Sequence, residues 1–419
     1  MTLRARGPLS VPEPSADPFS RPLPNSVPAL DPFLVQSSAW QAFLCEQLEA
    51  FLPIEAPARE EFERGRWFLA RVQQMGYTAV QDAVGNVLAP FDPTYTGRYL
   101  VLDAHLDTAF PPGTPFDLRK SMRLWHAPGV YDDGAGLTIL LGLMKQLRTD
   151  PLPGAERILF CFSTGEEGLG DLCGMRELCR THRERIAALY TLDGMFGKES
   201  IGTVGSRRYR VTVETAGGHS WADFGRPSAI HEMARWLALV QAELAETVGQ
   251  SAGLQPAVTS TFNVGTILGG TTVNSIAAHA ECQIDLRSSG ALQLERLAKD
   301  LQESLQRFPW QSGVRQQCSV IGDRPAGEAA GATVLRNLRA TLHEQFGVLT
   351  RETIDSTNAN WPSSLGIPAT SVGVAVGGDA HTLGEWLDVT SLVTGLRFVY
   401  FLTMRTLSNP ALQGRFGNS

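Results

Sequence analysis

Three apolar runs of the sequence each end in side chains that can bind a metal ion or transfer a proton. The side chains that follow these runs are, in chain order, His105 and Asp107, Glu166 and Glu167, and Asp193. Such runs are typical of buried parallel strands, whose carboxyl ends meet at one edge of an open α/β sheet. His105 and Asp107 lie two residues apart, so in an extended segment both side chains point to the same face. The pattern predicts one chemical site at this edge.

Two more candidates lie in glycine-bearing segments that lead into helices. Asp132 stands beside Asp133 before a predicted helix over about 137–147, and His381 precedes a final predicted helix over about 390–404. Paired aspartates can simply cap a helix, and adjacent glutamates can form an exposed turn. Carboxylates that are buried together, however, are unfavourable unless a cation faces them. The choice between capping or turn residues and a chemical site therefore depends on whether seven side chains come together in the fold. These are His105, Asp107, Asp132, Glu166, Glu167, Asp193 and His381.

The residue types of this set point to metal ions. It contains five carboxylates, two imidazoles and no cysteine. These ligands suit borderline divalent ions, of which Zn²⁺ is the first choice and Co²⁺ or Mn²⁺ are also tolerated. A single tetrahedral ion with an open position needs fewer ligands, whereas a two-metal hydrolytic site with a bridging carboxylate needs about this many. We therefore expect two divalent metal ions per chain.

The composition excludes several other classes of protein. The chain has 419 residues, of which 43% are hydrophobic and 19% are charged, and its formal net charge is -7. No basic cluster indicates a nucleic-acid partner, and no apolar run is long enough to span a bilayer or to form a signal core. The six cysteines form no Cys-x-x-Cys pair, as in reduced proteins. We expect a cytoplasmic protein with neither a membrane nor a nucleic-acid partner.

The periodicity of the chain divides it into three parts. Residues 1–32 are rich in proline and predict a flexible arm. Residues 33–206 and 323–419 predict an α/β domain, with a mixed, largely parallel sheet flanked by helices, that carries the metal-binding residues. Residues 207–322 predict the order β-α-β-β-α-β of a ferredoxin-like α+β domain, inserted into the first.

In order and spacing these motifs resemble the superfamily of cocatalytic two-zinc metallopeptidases and aminoacylases. Its members include peptidase T, glutamate carboxypeptidase, acetylornithine deacetylase and succinyl-diaminopimelate desuccinylase. The likeness covers nearly everything after the arm, and residues 105–112 and 378–386 are most similar to peptidase T-like members. It implies a zinc exopeptidase-like fold and a homodimer formed through the inserted domain, which serves as a lid.

The resemblance also implies which residues bind the metal ions. The implied ligands are His105, Asp132, Glu167, Asp193 and His381. Asp132 would bridge the two ions, and its peptide bond to Asp133 is cis in the superfamily. His105 and Asp193 would complete the first site, whereas Glu167 and His381 would complete the second.

Further roles follow from the same likeness. Glu166 matches the general base, and Asp107 matches the residue that orients the imidazole of His105. His219 matches the histidine that reaches across a dimer to the oxyanion of the substrate, and Asn274 and Arg287 match residues that hold the substrate. Without the resemblance, His219 would be interpreted as a turn histidine and Arg287 as an exposed strand end.

One motif departs from the superfamily. Where many relatives carry Thr-Asp-Ala-Asn, residues 357–360 read Thr-Asn-Ala-Asn, so that Asn358 replaces an acid. This segment lines the substrate side in the superfamily. The departure therefore bears on specificity rather than on metal binding.

Three functional hypotheses remain. The leading one is a two-metal hydrolase that cleaves an amide bond of a small peptide near its terminus, by attack of a hydroxide that bridges the ions. The second is an N-acyl amino acid deacylase with the same site, and the motifs do not separate the two because they act on the shared amide. The third, a catalytically silent dimeric metal-binding scaffold, is disfavoured because neither the matched base nor any matched ligand is replaced.

Overall fold

The computed structural model describes residues 31, 33, 37–252, 258–327 and 331–417. The predicted proline-rich arm over residues 1–32 lies outside the described residues, apart from Asp31. The carboxylate of Asp31 accepts a hydrogen bond from Nε of Arg397 at 2.8 Å. This contact joins the start of the described chain to its carboxyl-terminal part.

The described helices and strands follow in chain order. The α-helices are α1 (Ser37–Phe51), α2 (Phe62–Gln74), α3 (Gly134–Thr149), α4 (Cys173–His182), α5 (Ala229–Ala252), α6 (Ala291–Arg307), α7 (Ala332–Gln345), α8 (Asn360–Ser364), α9 (Ser391–Ser408) and α10 (Pro410–Phe416). The strands are β1 (Val80–Gln81), β2 (Val87–Pro90), β3 (Tyr99–His105), β4 (Arg119–Lys120), β5 (Leu124–His126), β6 (Ile158–Ser163), β7 (Ile186–Thr191), β8 (Lys198–Thr203), β9 (Gly205–Glu214), β10 (Gly218–His219), β11 (Ser260–Gly269), β12 (Ser275–Ile276), β13 (His279–Ser288), β14 (Arg315–Arg324), β15 (Arg351–Asp355), β16 (Ala369–Ser371), β17 (Val376–Gly378) and β18 (Trp386–Asp388). None of these helices is both long and apolar enough to cross a membrane.

A six-stranded mixed sheet forms the centre of the larger domain, in the order β1-β2-β6-β3-β7-β16. Strand β3 runs parallel to β6 and β7, its two neighbours. Leu100 and Leu102 pack into an apolar cluster on one face, and Val101 packs into another cluster on the opposite face. Burial on both faces explains why these strands read as continuous apolar runs. The predicted largely parallel α/β domain is confirmed, and the three strands with polar ends are neighbours.

The start of α3 resolves the question of the paired aspartates. Asp133 caps the helix, because its Oδ1 accepts a hydrogen bond from the backbone N–H of Gly136 at 3.1 Å. Its Oδ2 accepts another from the backbone N–H of His105 at 3.0 Å. The peptide bond between Asp132 and Asp133 is cis, as the resemblance implies. Capping therefore accounts for Asp133, whereas Asp132 is left to face the site.

The inserted domain is a four-stranded antiparallel sheet in the order β11-β13-β9-β14. In chain order its elements are β9, α5, β11, β13, α6 and β14, which is the predicted ferredoxin-like arrangement. Apolar residues of α5 and α6, including Trp236 and Leu297, share one buried cluster with alternate residues of the strands. Buried and more exposed side chains therefore alternate along these strands, as expected of a sheet that has helices on one face.

A second four-stranded sheet, in the order β17-β18-β5-β4, was not predicted. Its strands are two or three residues long, and both residues of β4 are exposed. Such short strands carry no periodic apolar signal. The turn between β17 and β18 holds His381, which adopts a positive φ of 65°.

Candidate metal centre

Four of the predicted ligands meet at the carboxyl ends of β3 and β6. Oδ1 of Asp132 lies 3.1 Å from Nε2 of His105, and Oδ2 lies 3.0 Å from Nε2 of His381. The same nitrogen of His381 lies 2.8 Å from Oε1 of Glu167. Asp132 therefore stands between the two imidazoles, each of which faces a different oxygen of its carboxylate. This is the arrangement that a bridging ligand requires.

Asp107 supports the site from behind. Its carboxylate, fully buried at 0% exposure, accepts hydrogen bonds from the backbone N–H of Glu166 at 2.9 Å and of Glu167 at 2.7 Å. Nδ1 of His105 lies 3.0 Å from the backbone oxygen of Asp107 and 3.5 Å from its Oδ1. Asp107 thus holds the glutamate turn with its side chain and contacts the imidazole mainly through its backbone. Sequence reasoning had predicted only the contact with the imidazole.

Two groups of possible ligand atoms converge among the described residues. One contains Asp132, Glu167 and His381, and the other contains His105, Glu166 and Glu167. The first group matches the predicted second metal site. Asp193 belongs to neither group, although it lines the same cavity. Its assignment as the ligand that completes the first site stays a prediction.

The electrostatics of the cluster favour cations. Hydrogen bonds with Asp132 and Glu167 raise the pKa of His381 to about 11. Burial alone would lower the pKa of His105, but hydrogen bonds with Asp107 and Asp132 raise it well above its usual value. Burial opposes the ionisation of Asp132, yet the two histidines lower its pKa. The buried carboxylates thus hold the imidazoles in their cationic form, so the donor set fits divalent ions, which would replace those protons.

Glu166 differs from its neighbour in its surroundings. Burial raises its pKa to about 8, against the opposing effect of Arg324 and His105. Nη1 of Arg324 lies 3.6 Å from Oε1 of Glu166, and a guanidinium nitrogen of Arg324 also donates to the backbone oxygen of Glu166. A carboxyl group with a raised pKa can accept and return a proton near neutral pH. Its inclusion in the group with His105 and Glu167 also permits a ligand role.

A cavity of about 610 Å³ opens onto the cluster. Besides the candidate ligands, it is lined by four cationic side chains, Lys198, Arg208, Arg287 and Arg324. Arg287 is one of these lining residues, and its Nε is 2.7 Å from Oδ2 of Asp285, whereas its contact with substrate stays a prediction. Sequence reasoning missed the other three cations. Lys198 follows Asp193 by only five residues but belongs to no motif, whereas the placement of the inserted domain brings Arg208 and Arg324 to the cavity.

His219 and Asn274 lie on the inserted domain, and the cavity lining does not include them. Nδ1 of His219 accepts hydrogen bonds from the backbone N–H groups of Trp221 at 3.2 Å and Ala222 at 3.3 Å. Because Nδ1 is an acceptor, the proton of the neutral ring is on Nε2, which can donate outwards. His219 is exposed, so the structure presents a donor without bringing it to the metal cluster of its own chain.

Asn358 points away from the cavity. Its segment lines the cavity through Asp355, Ser356 and Thr357, whereas Asn358 itself is fully buried at 0% exposure. Its Nδ2 donates to Oδ2 of Asp103 at 2.9 Å and to the hydroxyl of Ser163 at 2.8 Å. The amide therefore ties the segment to the central sheet, and any effect on specificity must act through the placement of its neighbours.

Family models match two segments of the sequence. The model of the peptidase dimerisation domain matches residues 201–309, and that of peptidase family M28 matches residues 86–232. These two matches support the resemblance of the chain to the cocatalytic metallopeptidase superfamily. Members of this superfamily are metal-dependent peptidases and amidohydrolases, and the chain is an enzyme of that class. A comparison of the sequence with curated proteins gives no match.

Solved structures of metallopeptidases share the fold. The aminopeptidase PepT from Bacillus cereus is 20% identical, with a TM-score of 0.65, and the match covers 87% of this chain and 98% of PepT. A dinuclear metal-binding peptidase of the M20 family from Bacillus subtilis is 14% identical, with a TM-score of 0.61 and coverage of 88% and 99%. An M20 family metallo-carboxypeptidase from Sulfolobus solfataricus is 13% identical, with a TM-score of 0.68 and coverage of 86% and 98%. The likeness of fold to these three structures extends over both domains.

Proposed function

We propose that this metallopeptidase cleaves an amide bond of a small peptide that carries a free carboxylate close to the bond. The observation that carries the proposal is the cavity of about 610 Å³ that opens onto the metal cluster, because four cationic side chains line it. Guanidinium and ammonium groups bind carboxylates through charge-assisted hydrogen bonds. A cavity of this volume admits a dipeptide or tripeptide rather than a folded protein.

The proposed ligands are His105, Asp132, Glu167, Asp193 and His381. When bound, two Zn²⁺ ions would supply Lewis acidity that polarises the amide carbonyl and lowers the pKa of water towards neutrality. Zinc is proposed because imidazole and carboxylate donors are its usual partners, whereas Co²⁺ and Mn²⁺ accept the same set.

The chain's own residues would move the proton and hold the substrate. Glu166 would accept a proton from the attacking water and return it to the leaving amine, as its raised pKa supports. Nη1 of Arg324 is 3.6 Å from Oε1 of Glu166. Arg324 would therefore limit the rise in the pKa of Glu166 and keep its carboxylate in place. Arg287 would bind the substrate carboxylate, and Asp107 would keep the Glu166 turn fixed through its two backbone hydrogen bonds.

We further propose a cytoplasmic homodimer in which the inserted domain of each chain completes the site of the other. The dimerisation-domain match to residues 201–309 supports the dimer, and so does the position of β11 at the outer edge of its sheet. His219 and Asn274 would then contact the substrate bound to the partner. All six cysteines are unpaired, which supports a reducing compartment.

A small substrate panel tests the proposal. The zinc-loaded protein should be assayed with one tripeptide in its free form, as its carboxyl-terminal amide and as its N-acetyl derivative, alongside N-acetyl amino acids. We expect cleavage of the free peptide. Amidation should lower kcat/KM at least tenfold, because the cationic side chains of the cavity then have no substrate carboxylate to bind. Exclusive hydrolysis of N-acetyl amino acids would favour the deacylase. Equal cleavage of free and amidated peptide would contradict the role of the cations.

A further inference from the structure

We propose that Glu385 is a positioning residue that fixes the backbone of Asp132 relative to His381 and so sets the affinity of the metal centre. The inference rests on the proposed role of Asp132 and His381 as metal ligands. The sequence motif that contains His381 also contains Glu385, but no role follows from the motif itself.

The side chain of Glu385 is fully buried, at 0% exposure, beneath the segment that carries Asp132. Its Oε1 accepts hydrogen bonds from the backbone N–H groups of Tyr131 at 2.8 Å and Asp132 at 2.9 Å. Its Oε2 accepts a third from the backbone N–H of Gly129 at 3.1 Å. One carboxylate thus satisfies three backbone donors within four consecutive residues.

The segment cannot satisfy these donors by itself. Two neighbouring backbone N–H groups are paired locally, since Val130 donates to Ala127 at 3.2 Å and Gly134 donates to Gly129 at 3.2 Å. The donors of Gly129, Tyr131 and Asp132 point instead towards Glu385. Because buried backbone donors are unfavourable without a partner, loss of this carboxylate should change the path of the segment.

The same residue is tied to the loop of the other ligand. Glu385 follows His381 by four residues, and its backbone N–H donates to the oxygen of Thr382 at 3.1 Å. Oδ2 of Asp132 lies 3.0 Å from Nε2 of His381, so the side chains of the two ligands meet while Glu385 holds the backbone segments that carry them. Glu385 therefore fixes the separation of two ligands that come from distant parts of the sequence. Residues that orient metal ligands in this way usually change metal affinity by about tenfold to a hundredfold when they are replaced.

The experiment compares Glu385→Gln with Asp388→Asn. Both variants remove one buried carboxylate from the same stretch of chain, but Asp388 contacts Arg123 and Thr390 instead of the Asp132 segment. The glutamine keeps the shape of Glu385 and one acceptor oxygen, whereas its amide nitrogen cannot accept a hydrogen bond. Metal-free protein is titrated with Zn²⁺ in competition with a chromophoric chelator, and circular dichroism checks the fold.

We expect Glu385→Gln to bind Zn²⁺ about tenfold to a hundredfold more weakly, with two ions bound at saturation. Asp388→Asn should stay within threefold of the wild type even if its melting temperature falls. At saturating Zn²⁺, the kcat of Glu385→Gln towards a cleaved peptide should recover while KM is unchanged. A purely structural role would lower the melting temperature of both variants and leave zinc affinity alone.

Folded Glu385→Gln with wild-type zinc affinity would overturn the inference. If that variant does not fold, Glu385→Asp retains the charge on a shorter side chain that cannot reach all three donors, and wild-type affinity in this variant would be equally decisive. A wild-type protein that binds fewer than two ions would overturn the proposed function as well. If the wild type binds two ions and the Glu385 variants bind Zn²⁺ with the same affinity, only the role of Glu385 would be overturned.

Discussion

At the scale of single residues, Glu166 and Glu167 show how neighbours in sequence can take different roles. Glu167 lies 2.8 Å from His381, whereas Glu166 faces Arg324 and has a pKa raised to about 8. The backbone of both is held by one carboxylate, that of Asp107. The geometry favours Glu167 as a ligand and Glu166 as a proton carrier, and substitution can separate these roles.

Glu166→Gln should retain both metal ions and lose activity. The amide keeps the shape of the side chain and one acceptor but cannot carry a proton, so kcat should fall by about a hundredfold to ten-thousandfold with KM little changed. Metal content and kcat should be measured on the same preparation. Glu167→Gln is the matched control, because it should lose metal and respond partly to excess zinc. Full metal content with near wild-type turnover in Glu166→Gln would assign the base to another residue.

At the scale of elements, the contact between Asp103 and Asn358 joins the cavity wall to the middle of β3. Burial raises the pKa of Asp103, and an amide is the partner that it can accept without a second charge. An aspartate at position 358 would place two carboxyl groups about 3 Å apart, where they cannot both ionise.

Asn358→Asp should therefore destabilise the fold by about 3 kcal/mol at pH 7. The cost should shrink as the pH falls from 7 to 5, because the folded pair takes up a proton more readily while the carboxyl groups of the unfolded chain stay ionised. The exchange Asp103→Asn with Asn358→Asp restores one acid and one amide, and it should recover stability to within about 1 kcal/mol of the wild type. Urea unfolding of the single and double variants at pH 7 and pH 5 measures both effects. An additive loss in the double variant would show that the pair is not coupled.

A second buried contact fixes α7 to the strands beneath it. Nε of Arg339 donates to Oε2 of Glu199 at 2.6 Å, while Nη1 donates to the hydroxyl of Thr370 at 2.8 Å. Nδ1 of His343 is hydrogen-bonded to Oε1 of the same glutamate. Burial alone would raise the pKa of Glu199, but His343 and Arg339 outweigh it and lower the pKa. The ionised glutamate thus connects β8 to two residues of α7.

Glu199→Gln should destabilise the protein by about 3 kcal/mol at neutral pH, because Arg339 stays buried without its anion. A lowered folded-state pKa contributes stability above the unfolded value, and this contribution is lost as the pH falls through the folded value. The difference between the wild type and Glu199→Gln should be constant from pH 7 to about pH 5 and narrow below the ordinary glutamate pKa of 4.5. Unfolding free energies across this range test it. A difference that widens towards acid pH would contradict the assignment.

These elements show what a sequence can and cannot reveal. Burial on both faces makes β3 a continuous apolar run, so the strand and its polar end could be predicted. The two-residue β4 carries no such signal, and the sheet that holds the His381 turn was missed. Arg208 and Arg324 reach the cavity only through the placement of the inserted domain, which no local pattern encodes. His343 belongs to no motif, and its partner Glu199 lies 144 residues away in sequence.

At the scale of the whole molecule, the question is how the inserted domain reaches a metal centre. His219 is exposed, and its ring nitrogen Nδ1 is already used by the backbone of its own turn. Trp221 and Phe224 in the same turn are 87% and 89% exposed, which is unusual for large apolar side chains. In the proposed homodimer, we expect the second copy of the chain to cover this turn and Nε2 of His219 to reach the partner's cavity.

Subunit complementation tests this arrangement. His219→Ala and His105→Ala should each be inactive alone, but a mixed dimer has one site with intact ligands and a histidine from the other chain. After random exchange, half of the dimers are mixed and half of their sites are complete, so we expect about one quarter of wild-type activity. The control mixes His105→Ala with His381→Ala, whose changes lie in the same cavity, and it should recover nothing. If exchange is demonstrated by mass-tagged subunits and the first mixture also stays inactive, His219 does not act on the partner's substrate.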